Sequence, residues 1–312
     1  MNLGLKEYNE KIDAYVVSHH YRQINRILLW ANDVIWADCR YNGFQENSRN
    51  VILSVAKSIM SLCAGIALDQ GLLPGLDTPV YQYIPEFKEG REPLHRLITL
   101  RHLLTMTSGI YWNGGVHYHC PMMKQLRHSG DWISHIADCA VTDIPGTKYN
   151  YKEWDVILLA KLLEQVCGDM YDFMKAHLFE PLGIESARWY KSPCGVYYSV
   201  GDGTDEDNET KCKLTAEDML KIGCLFLNRG KHNGQQIISE AYIRQTLTPQ
   251  KCNPNYGFLW WLWDGSYGCR GYGGQSIMVI PDKNAVIVTQ ATPTDRGMGY
   301  LDVVEFCAKL IT

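Results

Sequence analysis

A chain of 312 residues is long enough for one large domain or two medium ones, and its composition, 46% hydrophobic and 21% charged, is that of a globular protein with a real core. A formal net charge of −4 supplies neither the basic field that nucleic acid requires nor a polybasic patch for a membrane surface. No stretch reaches the ~18 consecutive apolar residues of a bilayer span, so the expected partner is a small molecule rather than nucleic acid or a membrane.

The N-terminal stretch "MNLGLKEYNEKIDAYVV" carries acidic residues and no apolar h-region, so it does not read as a signal peptide. An amphipathic helix is expected over Lys6–Tyr21. "INRILLWANDVIWADCRYNG" then holds two β-rich runs around Ala31-Asn32-Asp33, a hairpin signal. "LSVAKSIMSL" opens the next helix and places Lys57 in the first turn of an apolar run; Gly71, Pro74 and Gly75 stop that helix. A short helix is expected over Thr99–Thr107, ending at Ser108-Gly109. "WDVILLAKLLEQVCG" repeats apolar residues at helical spacing up to Gly168. "GDGTDEDNETK" reads as a solvated acidic loop, and "LTAEDMLKIGCLFLNRG" as a helix with Thr215 and Asp218 at its N-terminus. Strands return in "YGFLWWLWDG", "QSIMVIP" and "NAVIVTQAT", with Trp260–Trp263 on alternate faces, and a final helix is expected over Tyr300–Ile311.

Strands at both ends with helices between them predict an α/β domain plus an all-α insertion. The antiparallel sheet would be built from both chain ends and flanked by helices, with residues 1–84 and 246–312 forming the discontinuous α/β domain. Residues 85–245 would form a mostly helical inserted domain, the active site lying in the cleft between the two. Eleven cysteines occur, an odd number with no C-x-x-C pair, several of them inside apolar helical runs. That pattern predicts reduced thiols and a cytoplasmic protein rather than a disulfide framework.

Ser54 and Lys57, three apart on one helix, share a face one turn apart. A helix start and local desolvation both disfavour a charged ammonium there, and an uncharged Lys57 amine could take the serine proton. The spacing alone is also met by chance, or by a lysine snorkelling from a plain core helix. His117, His119, Cys120 and His128 are zinc ligands in type, but no second ligand cluster balances them, so no metal is expected. Trp112, Tyr118 and Trp154 are candidates for an aromatic pocket wall.

The text around Ser54 adds more. "SVAKSIMSLCAGIALDQGLLPGLDTPVYQYIPEF", "ITLRHLLTMTSGI", "PGTKYNYKEWDVILLAKLLEQVCG", "LTAEDMLKIGCLFLNRGKHNGQQII" and "GYGGQSIMVIPDKNAVIV" stand in this order along nearly the whole chain. Together they resemble the serine β-lactamase and penicillin-binding family, including its esterase and 6-aminohexanoate-dimer hydrolase-like branch. Met106 departs from that pattern, where histidine is usual. The resemblance implies the β-lactamase/transpeptidase-like fold, Ser54 as nucleophile, Lys57 as proton acceptor and Tyr151, six residues after Pro145, as the tyrosine that protonates the leaving group. Lys57 or Lys152 would supply a cation beside that phenol. Tyr149, two residues upstream and expected to point the same way, is the competing tyrosine.

Two departures bear on substrate. Glu153 stands where the family has asparagine, so an acceptor replaces an amide donor. Cys269-Arg270-Gly271 stands where a Lys-Thr-Gly or His-x-Gly triplet is expected; the usual cation is missing at Cys269, and Arg270 should face the other way on a strand. An oxyanion hole is expected from the Ser54 N–H and an N–H near Gly271–Tyr272, with Gly271 allowing close approach to substrate. Trp112, Glu153, Arg270, Gly271 and Tyr272 are thus the expected substrate-binding residues.

The implied function is a serine hydrolase acting on a small ester, amide or peptide through a Ser54 acyl-enzyme, with no cofactor. The alternatives are a D-alanyl-D-alanine carboxypeptidase or β-lactamase, a non-catalytic ligand-binding or sensor module of the same fold, and a zinc-dependent hydrolase.

Overall fold

The computed structural model describes residues 4–88, 92–114, 120–198, 211–294 and 299–311. Helix α1 (Leu5–Ser18) buries Tyr8, Ile12 and Val16, one residue per turn of a single stripe. Strands β1 (Ile24–Ala31) and β2 (Val34–Arg40) follow, joined through Asn32 and Asp33. Both linking residues have left-handed φ, 52° and 63°, as a two-residue hairpin turn of the twisted-strand type demands and as Asn and Asp tolerate. The short β3 (Asn50–Val51) leads into α2 (Val55–Asp69), which is buried almost all round.

The middle of the chain carries α3 (Leu100–Leu104), α4 (Pro121–His128), α5 (Trp132–Ala137), α6 (Trp154–Cys167) and α7 (Met170–Met174). Strand β4 (Lys213–Leu214) pairs with β3, and α8 (Ala216–Leu227) follows it. A reciprocal cap starts α8: the Asp218 N–H donates to the Thr215 hydroxyl at 3.1 Å, and the Thr215 N–H donates to the Asp218 carboxylate at 3.2 Å. A two-strand ribbon, β5 (Lys231–His232) with β6 (Gln235–Gln236), and α9 (Glu240–Thr246) complete the middle. Strands β7 (Trp261–Trp263), β8 (Ser266–Gly271), β9 (Gln275–Ile280) and β10 (Ala285–Ala291) then return to the sheet, and α10 (Leu301–Leu310) ends the described chain. The stretch read as an acidic loop lies outside the described residues, apart from Lys211.

The main sheet runs β2-β1-β10-β9-β8-β7 with antiparallel neighbours throughout, so β1 from one end of the chain lies beside β10 from the other. Alternation divides its side chains between two cores. Ile27, Leu29, Ala285 and Ile287 pack under α1 and α10 with Ile12, Val303 and Cys307. Leu28, Val286, Val288, Ile277 and Val279 face the other way, into the larger core built around α2, α6 and α8. Burial of an Ile or Val side chain contributes about 1.5–3 kcal/mol, so a one-residue slip of β10, which would exchange its two faces, is strongly disfavoured. The expected β-lactamase/transpeptidase-like architecture, an antiparallel sheet from both chain ends flanked by helices, is the one observed. Helix α8, drawn from the 85–245 stretch, packs on the sheet itself, against β10, β9 and β1.

Two connections fix the start of α2. Buried Asn50 donates through Nδ2 to the Gln275 side chain (2.7 Å) and to the Ala291 carbonyl (2.9 Å), tying β3 to β9 and β10. The Ile52 N–H donates to the Cys212 carbonyl at 3.0 Å. Among the described residues, no helix is long and apolar enough to cross a membrane. The eleven cysteines are free thiols.

Candidate active site

Leu53, with φ at 46°, is a non-glycine residue held in the left-handed region, and it turns the chain sharply from β3 into α2. Ser54 is the N-cap of α2, a position where a serine hydroxyl ordinarily accepts from the N–H groups of the first turn. Here it does not. The N–H groups of Val55, Ala56 and Lys57 donate instead to the carbonyls of Ile52, Leu53 and Ser54, at 3.1, 2.9 and 3.1 Å. The tight turn therefore satisfies the helix start through the backbone and leaves the serine hydroxyl for other work. Lys57, 1% exposed, extends back along α2 and its Nζ donates to Ser54 Oγ at 3.0 Å.

The same ammonium nitrogen lies 2.6 Å from Glu153 Oε1, and the other carboxylate oxygen of Glu153 accepts from the Tyr198 hydroxyl at 2.7 Å. The uncharged, simply desolvated lysine expected from the helix start is thus replaced by a buried ion pair. Tyr198 is fully buried, and burial together with the neighbouring Glu153 carboxylate pushes its hydroxyl well above the usual phenol range, so it stays a donor. Glu153 is itself the N-cap of α6, and its side chain also makes no capping bond. Its backbone carbonyl accepts from Val156 and Ile157 instead. Two helix starts therefore face each other, each turning its N-cap side chain toward Lys57.

A cavity of about 350 Å³ opens over this group, lined by Ser54, Tyr151, Glu153, Trp261, Arg270, Gly271, Tyr272, Gly273 and Gly299. It gathers Ser54, Tyr151, Glu153, Arg270, Gly271 and Tyr272 from the sequence-predicted set, with Lys57 just beneath. The Tyr151 ring lies 5.1 Å from Lys57 Nζ and stacks on Trp261 at 5.8 Å between centroids. Tyr149 and Tyr151 both pack edge-on against Tyr256, at 5.1 and 6.3 Å between centroids, but of the two only Tyr151 lines this cavity.

Three expectations change. Lys152 turns inward, donating to the Ile110 carbonyl at 2.8 Å and to Ser108 Oγ at 3.4 Å, so it offers no cation to the cavity. Trp112 packs edge-on against buried Trp154 at 4.8 Å; it braces the start of α6 and is absent from the described cavity wall. Cys269 points into the core, where burial pushes its thiol up to about 12, and it is Arg270 that reaches the cavity. Gly271 lacks a side chain for a backbone reason: a Cβ there would stand 2.4 Å from the Ile52 carbonyl oxygen, so the glycine lets β8 lie against the turn that presents Ser54.

Tyr198 and Trp261 are the site members that sequence reasoning passed over. Period-two alternation in "WWLW" separates Trp260, stacked on Phe226 in the core at 3.6 Å, from Trp261 in the cavity. Tyr198 carries no comparable local signal. Of the residues weighed as zinc ligands, His117 and His119 lie outside the described residues, as does Tyr118. Cys120 donates to the Asn113 carbonyl at 3.0 Å and His128 Nδ1 to the Lys124 carbonyl at 2.7 Å.

The family model described as Beta-lactamase matches residues 27–300, most of the chain and every segment that builds this site. The chain belongs to the beta-lactamase family. A 6-aminohexanoate-dimer hydrolase of Paenarthrobacter ureafaciens is 22% identical over 79% of this family member and 67% of its own length. Among solved structures, a penicillin binding protein from Bacillus halodurans superposes with a TM-score of 0.73 at 19% identity, covering 95% of this chain and 99% of that one. EstCE1, described as a hydrolase with promiscuous acyltransferase activity, also reaches 0.73, at 15% identity, over 99% and 98% of the two chains. At such identities these likenesses establish the shared fold of the beta-lactamase family, whose neighbours here are hydrolases and penicillin-binding proteins.

Proposed function

We propose that this beta-lactamase family member is a serine hydrolase that cleaves a small ester or amide through an acyl-enzyme on Ser54. The observation that carries the reading is the hydroxyl of Ser54, withheld from helix capping, on the wall of a 350 Å³ cavity and 3.0 Å from a buried lysine nitrogen. In this reading Ser54 Oγ attacks the carbonyl carbon and Lys57 Nζ takes the proton that Ser54 gives up. The oxyanion is held by the N–H groups of Ser54 and Tyr272, whose residues border the same cavity from α2 and from the end of β8. Tyr151, on the cavity wall, protonates the leaving group. A water then repeats the sequence on the acyl-enzyme and releases the acid. The cleft would lie between the discontinuous α/β domain and the helical insertion.

Trp261 and Tyr151 give the cavity a flat apolar wall suited to a compact acyl group. Both oxygens of Glu153 are engaged as acceptors, which leaves no donor there for an amide-bearing side chain of the substrate and favours simple esters. A second reading, a carboxypeptidase or β-lactamase acting on a carboxylate-bearing substrate, is favoured by one observation: Arg270 lines the cavity, so a cation is present even though Cys269 has replaced the usual one. A panel of nitrophenyl esters of graded acyl length, run beside peptides and a fluorescent penicillin, tests both. Ester turnover that Ser54→Ala abolishes supports the first reading, and slow-releasing penicillin labelling supports the second. A folded protein inert to the whole panel would point to a ligand-binding module.

A further inference from the structure

The proposed chemistry leaves one proton unaccounted for. Lys57 sits in an ion pair, and an ammonium group has three donors and no lone pair. It cannot take the Ser54 proton unless it passes one of its own elsewhere. The acceptor already in contact is Glu153, whose Oε1 is 2.6 Å from Lys57 Nζ, which also reaches Ser54 Oγ at 3.0 Å. Lys57 is 1% exposed, Glu153 8% and Tyr198 0%, so the path is shielded from bulk water except where Ser54 and Glu153 meet the cavity.

Resting on the acyl-enzyme reading, we propose that Glu153 is the terminal acceptor of the Ser54 proton, reached through Lys57, and that Tyr198 is the positioning residue that holds Glu153 for it. In the first step the Oγ–carbon bond forms and the carbonyl π pair moves to oxygen. The Oγ proton passes to Lys57 Nζ while one Nζ proton passes to Glu153 Oε1. Lys57 remains an ammonium beside the new oxyanion, and Glu153 becomes a neutral acid. When the intermediate collapses, the carbon–leaving-group bond breaks and the leaving group takes a proton from Tyr151, which Glu153 replaces through Lys57. In deacylation the attacking water's proton follows the same route and returns to Ser54 Oγ as that bond breaks. No proton is gained or lost over the cycle beyond those of the water consumed.

Three features fit a proton acceptor better than a plain structural ion pair. Glu153 turns its carboxylate away from the α6 N–H groups that an N-cap acid would ordinarily accept from. It stands at two facing helix starts, whose dipoles stabilise the carboxylate at rest and the oxyanion in the intermediate. The Tyr198 hydroxyl occupies Oε2 alone, which fixes the carboxylate's rotation and leaves Oε1 to Lys57.

The test is the rate at which a fluorophosphonate probe labels Ser54 in the full chain, measured from pH 6 to pH 10 for wild type, Glu153→Gln and Tyr198→Phe. Glutamine keeps the size and one oxygen acceptor but cannot take up the proton. Labelling by E153Q at pH 7 is expected to fall about 100-fold or more, and its pH profile should differ from that of wild type, because the proton must then leave Lys57 by a route other than Glu153. Y198F should slow ester turnover about tenfold in kcat with KM unchanged, since the phenol touches no substrate. Wild-type rates and an unchanged pH profile in E153Q would overturn the proposal. If E153Q does not fold, Y198F decides: wild-type kcat overturns Tyr198's positioning of the acceptor. Absence of labelling in the wild type would instead overturn the serine hydrolase reading itself, so the two failures are distinguishable.

Discussion

Two lysines in this protein are equally buried, 1% exposed each, and both stand beside a buried carboxylate from the start of α6. Lys57 touches Glu153 and Ser54 Oγ, and both of those partners reach a cavity. Lys152, adjacent to Glu153 in sequence, turns the opposite way into a sealed network in which Ser108 Oγ donates to Asp155 and Lys152 donates to the Ile110 carbonyl. That second network clamps the turn after α3 to α6, helped by the Asn150 N–H donating to the Met106 carbonyl at 2.9 Å. Burial of an amine is therefore no guide to chemistry in itself. What separates the two is whether a ligand of the amine is open to a substrate.

Substitution of each lysine by methionine sharpens the contrast most. Lys57→Met should lower kcat/KM for an ester on the order of 10³-fold and, because it leaves the buried Glu153 carboxylate without its partner, should also cost about 3–5 kcal/mol of stability. Lys152→Met should leave turnover within a few-fold of wild type but cost about 3 kcal/mol of stability, because a buried Asp155 carboxylate loses its counter-charge. Urea unfolding and ester kinetics on the same preparations read both effects. Equal kinetic losses in the two variants would erase the distinction.

The two tyrosines make a similar pair. Tyr151→Phe should reduce kcat about 100-fold, whereas Tyr149→Phe, whose ring rests on Tyr256 away from the cavity wall, should change it less than a few-fold. Gly271→Ala forces a Cβ onto the Ile52 carbonyl, and overpacking of this kind costs about 1–3 kcal/mol. A thermal unfolding comparison with wild type checks it.

The smallest effect is a pH dependence. Burial raises the Asp155 carboxyl above its ordinary value near 3.8, in spite of Lys152 and Ser108, which act in the opposite direction. The folded state then binds more protons than the unfolded state between the ordinary and the raised value, so this group's contribution to stability declines as pH rises through that window. The Tm of wild type minus that of Asp155→Asn should therefore be greatest at about pH 4 and shrink toward neutrality. A constant difference across that range would contradict the assignment.

Much of the fold is legible locally. The Asn32-Asp33 pair predicts the β1–β2 hairpin because both residues accept left-handed backbone, and Thr215 with Asp218 predicts the start of α8 because their side chains complete each other's caps. The Ser54–Lys57 contact is legible for the same reason, since three residues along a helix bring the two groups together. Other parts are set by distant neighbours. Glu153 is visible in sequence as an acceptor standing where a donor is expected, but its ion pair depends on α6 meeting α2, and Tyr198 reaches it from a segment without periodicity. The reach of Arg270 and the inward turn of Cys269 likewise follow from which face of β8 packs on α2, a fact of tertiary packing rather than of spacing.

The central claim is that the Ser54 hydroxyl is a nucleophile. Intact-protein mass spectrometry after treatment with a fluorophosphonate, followed by peptide mapping, tests it most directly. A single adduct on Ser54 that disappears in Ser54→Ala is the expected result. A folded wild-type protein that gains no mass, or an adduct that persists in Ser54→Ala, would contradict it.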